Sequence, residues 1–187
     1  MARLTAAASS LRALAVIVIA IWVVFALDRL LPLEQLGLRP QQWSGLTGIV
    51  AMPFLHSDWT HLTTNTLPLL ALFAVLTVTH TRPLATVATI VVASGVLLWL
   101  FGRPGIHIGA SALIFGLASC LIAGAWRGRS VVALLAALLV ALLYGGSLLG
   151  GLLPGDARVS WDGHLAGAVA GVVTGLAGIG QARPVRV

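Results

Sequence analysis

The sequence predicts an all-α membrane protein: a bundle of six transmembrane helices with both termini on the inner side. Three observations carry that expectation. The 187 residues are 59% hydrophobic and only 9% charged. Mean hydropathy is +1.03, far from that of a soluble domain. The apolar residues gather into runs near the ~20 residues that a bilayer crossing takes. Residues 1–187 therefore read as one membrane domain, with the lipid bilayer as its constant partner. The eleven basic residues are all Arg and are scattered, so the pI near 11.6 reflects scarce acids. No basic patch for nucleic acid exists. The single Cys120 lies mid-helix, which excludes a disulfide framework and a cysteine metal site.

Residues 1–12 read as a short polar lead. Ala13 to Leu27 is unbroken apolar sequence and forms the first span, 13–27. No small-residue cleavage site follows before Asp28, so a removed leader is the weaker reading. Residues 28–58 form the longest connection, with Pro32, Gly37, Pro40, Trp43 and Gly45. Its apolar patch, Ile49 to Leu55, is too short to span and is expected to lie in the interface. The remaining spans are 59–78, 83–100, 110–126, 131–149 and 161–179. Gly102-Arg103-Pro104-Gly105 breaks the chain sharply after the third. Gly145, Gly146, Gly150 and Gly151, with Tyr144, give the fifth a glycine-rich end suited to movement.

Arginine counts set the orientation. With the N-terminus inside, the inner segments carry Arg3, Arg12, Arg82, Arg127, Arg129, Arg183 and Arg186, and the outer ones Arg29, Arg39, Arg103 and Arg158. Trp59, Trp99 and Trp161 then fall at the outer interface and Trp126 at the inner one.

On that topology spans two, four and six begin at the outer face, and each has polar residues near its start. His61 and Asn65 stand one helical turn apart on one face. Asn65 lies about 9 Å beyond Trp59, and His164 about 4–5 Å beyond Trp161. Polar groups at such depth are costly and face a bundle interior or water. Ser111 follows Gly109, which allows close backbone approach. It also falls in a first helical turn, whose N–H groups lack intrahelical partners and suit an oxyanion. A serine needs a base to become a nucleophile, and His164 is at the right depth. Gly167, Gly171 and Gly175 run below His164 as a bare stripe for close helix approach. Phe115, one turn after Ser111, is placed to pack on the His164 ring.

At these residues the chain resembles the rhomboid family of intramembrane serine proteases. Three segments carry the resemblance: Pro53-Phe54-Leu55-His56-Ser57-Asp58-Trp59-Thr60-His61-Leu62-Thr63-Thr64-Asn65, then Gly109-Ala110-Ser111 through Phe115-Gly116, then His164-Leu165-Ala166-Gly167 with Gly171. The span count and orientation agree. The resemblance implies Ser111 as nucleophile and His164 as general base in a dyad without a carboxylate. His61 and Asn65 would bind the oxyanion with the Ser111 N–H, beside Gly109. His56 looks like the further histidine that family members often carry before span two. The implied substrates are single-span membrane proteins, cut near the outer face of a bacterial plasma membrane, with no cofactor. The chain departs from the family in having Ala112 where glycine usually follows the serine. Ser44 also follows Trp43 where the family commonly has Trp-Arg.

Two other readings stay open: a rhomboid-like protein that binds membrane proteins without cutting them, and a small transporter. Metal ligation by His61 and His164 would need more ligands than the sequence offers. Asp162 is read as a helix N-terminal cap, since positions two apart on a helix face different ways. His80 is read as an inner-interface residue and His107 as a loop residue, neither with a role. A dyad acting alone should give a kcat/KM that rises with one ionisation below about pH 7 and then stays flat.

Overall fold

The computed structural model describes residues 2–128 and 160–181, and the isolated positions 131, 134, 135, 138, 139 and 142. Its helices are α1 (Ala2–Asp28), α2 (Gly48–Ala51), α3 (Trp59–Thr79), α4 (Pro83–Phe101), α5 (Ser111–Gly128) and α6 (Trp161–Ala177). Four of them, α1, α3, α4 and α5, are long and apolar enough to cross a membrane. Among the described residues the only β pairing is an antiparallel bridge between Leu38 and His107. Most of the expected span 131–149, with Tyr144 and its glycines, lies outside the described residues. The isolated positions Val131, Leu134, Leu135, Leu138, Leu139 and Leu142 are helical and exposed. Their spacing puts them on one helical face.

The helix ends follow local chemistry. α1 begins at Ala2, so the expected polar lead is helical instead. Its Ala- and Leu-rich composition favours helix. α3 starts where the Asp58 carboxylate accepts the His61 backbone N–H at 2.8 Å, a side-chain cap on an otherwise unpartnered donor. α4 opens on Pro83, whose missing N–H costs nothing at a first turn. α6 ends on Gly178 in the left-handed region, φ 68°, the usual glycine stop.

Burial separates the helices. Within Ser9–Asp28 of α1 only Leu14, Ile21 and Phe25 are buried, with Val16, Ile19 and Val23 exposed. α5 is apolar nearly all round, buried from Ala112 to Ala118 and again at Cys120, Leu121, Gly124 and Ala125. A helix of that pattern belongs at the centre of its bundle. Leu62, Leu69, Leu72, Phe73 and Leu76 of α3 pack with Ile90 of α4 and Leu113, Leu117 and Leu121 of α5.

The 29–58 connection is ordered by its neighbours. The patch expected in the interface folds as α2 and a 3-10 turn, Met52–Phe54, and Ile49 packs against Gly95 of α4. Without the Trp-Arg pair, the loop is tied to the end of α4 by other bonds. Gln41 N–H donates to the Trp99 carbonyl at 2.9 Å. The Trp99 indole donates to the Gln42 carbonyl at 2.9 Å, and the Trp43 and Trp99 rings lie 5.6 Å apart. At the opposite end of the bundle, the Thr81 and Arg82 N–H groups donate to the Gly180 carbonyl at 2.8 and 3.0 Å. The Arg127 guanidinium reaches Gln181 at 3.1 Å. These bonds join the end of α6 to the α3–α4 connection and to α5.

Candidate active site

Ser111 opens α5 directly after a glycine that the fold requires. Gly109 has φ +111°, where side chains are strained. A Cβ there would also lie 2.5 Å from His61 Nε2 and 2.7 Å from Cε1. Its N–H donates to the Met52 carbonyl at 2.9 Å, which fixes the approach to Ala110 and Ser111. The far edge of the His61 ring therefore faces the backbone just before Ser111.

His61 and Asn65 share one face of α3. The Asn65 amide donates to the His61 carbonyl at 2.9 Å, which uses one of its two N–H groups. Asn65 is buried, and its amide nitrogen would be 3.8 Å from a Cβ at Gly109. His56 is buried beside them, its ring edge-on to His61 with centroids 4.9 Å apart.

His164 comes from α6. Its ring stacks on Phe115, 4.2 Å between centroids and 8° between planes. Phe115 is one turn below Ser111 on the same face of α5, so the imidazole lies over the face that carries the serine. The glycine stripe makes this approach possible. A Cβ on Gly167 would lie 2.8 Å from the Ala112 carbonyl carbon and 3.0 Å from its Cα. A Cβ on Gly171 would meet the Gly116 backbone and the Ser119 hydroxyl, and one on Gly175 the Cys120 carbonyl. The Ser119 hydroxyl donates across to the Ala168 carbonyl at 2.8 Å. The two helices thus touch backbone to backbone over about two turns, from Gly167 to Gly175. Ala112 belongs to a cluster with Leu38, Met52, Leu98 and Ala166, so the methyl at this position contributes to a packed core.

Asp162 is not the side-chain cap that the sequence suggested. Ser160 occupies the cap position, and the Asp162 carboxylate instead accepts the Arg103 backbone N–H at 2.8 Å. The Arg103 guanidinium is 3.2 Å away. His107 is a loop residue as expected, yet it is buried. Its Nδ1 is 2.7 Å from Ser160 Oγ and its Nε2 3.0 Å from the Arg103 carbonyl. Arg103, His107, Ser160 and Asp162 therefore pin the α4–α5 loop to the start of α6. Removing a charged hydrogen-bond partner costs about 1.5–3 kcal/mol. Asp162→Asn should lower unfolding stability by about that amount. The ~10⁴ rate loss that follows removal of a triad carboxylate is not expected of this substitution; unfolding curves and kinetics on the same preparation check both.

Two histidines outside the helices make stability pH-dependent. Burial pushes His56 from 6.5 down to about 4, with neighbouring His61 adding to the effect. Burial alone does the same to His80, also down to about 4; His80 Nδ1 is 2.9 Å from the Thr79 hydroxyl. Above about pH 6.5 both states are neutral and nothing is lost. Below it the unfolded chain takes up protons that the folded chain refuses, so stability falls as pH drops from about 6.5 to about 4. The expected loss is about 2 kcal/mol for each histidine, read from unfolding in micelles at pH 7 and pH 4.5. His80→Gln should remove its share.

These observations define a helical membrane protein with a serine, two histidines and an asparagine gathered near the N-terminal ends of three helices. The Rhomboid domain model matches residues 40–181. An uncharacterized protein of Mycobacterium tuberculosis is 43% identical over 149 residues, 73% of this chain and 61% of its own length. An uncharacterized protein of Mycobacterium bovis gives the same figures. One of Mycobacterium leprae is 39% identical over 154 residues, 75% of this chain and 59% of its own. The chain thus spans about three-fifths of the length of these curated relatives. It belongs to the rhomboid family and is a multi-pass integral membrane protein.

Proposed function

We propose that the chain is an intramembrane serine endopeptidase that cuts single-span membrane proteins through a Ser111–His164 dyad. The observation that carries this reading is the stacking of His164 on Phe115, one turn from Ser111, across a backbone-tight helix pair. Ser111 Oγ attacks the scissile carbonyl while His164 takes its proton. The oxyanion is met by the Ser111 N–H with His61 and Asn65, whose side chains stand beside Gly109. His164 then returns the proton to the leaving amine, and water releases the acyl group by the reverse sequence. Six spans with both termini inside put this site at the outer face of a bacterial plasma membrane, as the arginine distribution favours. A serine-directed fluorophosphonate on the protein in detergent tests the reading. Labelling of wild type that disappears in His164→Ala supports an activated serine. Equal or absent labelling in both would favour a member that binds its targets without cutting them.

A further inference from the structure

The contact between α5 and α6 is close, yet its repeat leaves the register open. Gly167, Gly171 and Gly175 lie against Ala112, Gly116 and Cys120 in the same order, so the two helices run parallel. Each stripe repeats every four residues. A slide of one repeat, about 6 Å along the axis, would set Gly167 on Gly116, Gly171 on Cys120 and Gly175 on Gly124. That surface is as smooth as the first. Small residues permit close approach and offer no knobs that choose a position, so directional bonds must choose it. The Ser119–Ala168 bond is one. Others gather at the end of α6 away from His164. There the Gly180 carbonyl accepts the Thr81 and Arg82 N–H groups at 2.8 and 3.0 Å and the Thr81 hydroxyl at 3.1 Å. The Thr86 hydroxyl, fully buried on α4, donates to the Ile179 carbonyl at 3.1 Å.

Steric fit tightens this end further. Gly180 has φ +77°, and a Cβ there would press on the Thr86 hydroxyl and lie 2.8 Å from the Arg82 carbonyl. The Gln181 side chain fills the notch over Gly124 and accepts the Arg127 guanidinium at 3.1 Å. The turn after α6 is thus held at once by the α3–α4 connection, by α4 and by α5. From His164 to Ala177 the helix covers about 20 Å. A continuous helix keeps its rise, so an axial position set at one end is carried to the other. We propose that Thr86 and Gln181 are positioning residues for His164, acting through α6. Their bonds fix the register that stacks the His164 ring on Phe115 at 4.2 Å. This rests on the peptidase reading and places part of that site's support a helix length away from it.

Thr86→Val keeps the branched shape and removes the hydroxyl, whereas Thr86→Ser keeps the hydroxyl. Gln181→Ala loosens the same turn from its half-buried rim and opens no hole in the core, so it supplies a variant that folds. The measurements are kcat and KM on a transmembrane reporter, with NMR of the full-length proteins, ¹³C-labelled at histidine, in micelles. A stacked Phe115 ring shifts the His164 ring signals upfield, so they report the register whether or not anything is cut. Thr86→Val should move these signals toward unstacked values. It should lower kcat by roughly 10²-fold for a shift of about 1 Å, with KM unchanged. Thr86→Ser should restore both, and Gln181→Ala should move the signals the same way by less. A folded Thr86→Val whose His164 signals stay in place overturns the proposal, whatever its kcat. So do moved signals with full kcat, and a Thr86→Ser that restores neither. If Thr86→Val does not fold, Gln181→Ala decides: moved signals support the assignment and unmoved signals overturn it. A wild type that cuts nothing, with His164 displaced in Thr86→Val and restored in Thr86→Ser, sinks the peptidase reading and leaves the register assignment standing.

Discussion

Replacing Ser111 by alanine is expected to abolish cleavage of a transmembrane reporter while the protein stays folded in the membrane. The loss should approach the ~10⁶-fold that removal of a serine nucleophile costs when it works with a histidine. The substitution removes one oxygen from a half-buried position that opens α5. Melting behaviour in micelles should therefore move by less than about 1 kcal/mol. Normal turnover by Ser111→Ala would end the peptidase assignment.

Gly167→Val should be nearly as damaging by a different route. No side chain fits there, because even a Cβ would press on the Ala112 backbone. Backbone yields less readily than the end of a flexible side chain, so α6 must move away from α5. His164 is three residues from Gly167 and travels with it. A misplacement of about 1 Å costs roughly 10²-fold in rate, and overpacking of this kind costs about 1–3 kcal/mol in stability. Gly171→Val, aimed at the Gly116 backbone and Ser119, should behave alike. Kinetics and unfolding measured together separate the two effects. Full activity in both variants would mean that the dyad does not depend on the helix contact.

Much of this arrangement is legible in the sequence because it is local or periodic. Trp59, Pro83, Ser111 and Trp161 begin helices at or within one residue of where the apolar runs begin. The spacing of Gly167, Gly171 and Gly175 points to one helix face, and Phe115 stands one turn from Ser111. The start of α1 was hidden because a lead with two arginines looks like a loop, although alanine and leucine favour helix. What remained illegible is long-range. Asp162 finds Arg103 across 59 positions, and Leu38 pairs with His107. No periodicity encodes either contact; each depends on how the connections fold over the helix ends. Asp58, just before Trp59, caps α3 through the His61 N–H, a role not singled out in the sequence. Its second bond, to Ser57, needed coordinates, because a hydroxyl's orientation is set by its neighbours.

The unequal burial of the helices also sets how the bundle yields under force. In α1 17% of the spanning window is buried, against 67% in α5. α1 holds on through a few side chains such as Leu14, Ile21 and Phe25, and those contacts are no better than the ones lipid tails offer. The α5–α6 pair is held backbone to backbone, with the Ser119–Ala168 bond across it. A pull on the N-terminus therefore peels α1 into the surrounding lipid first, and the serine and histidine helices part later, still joined as a pair.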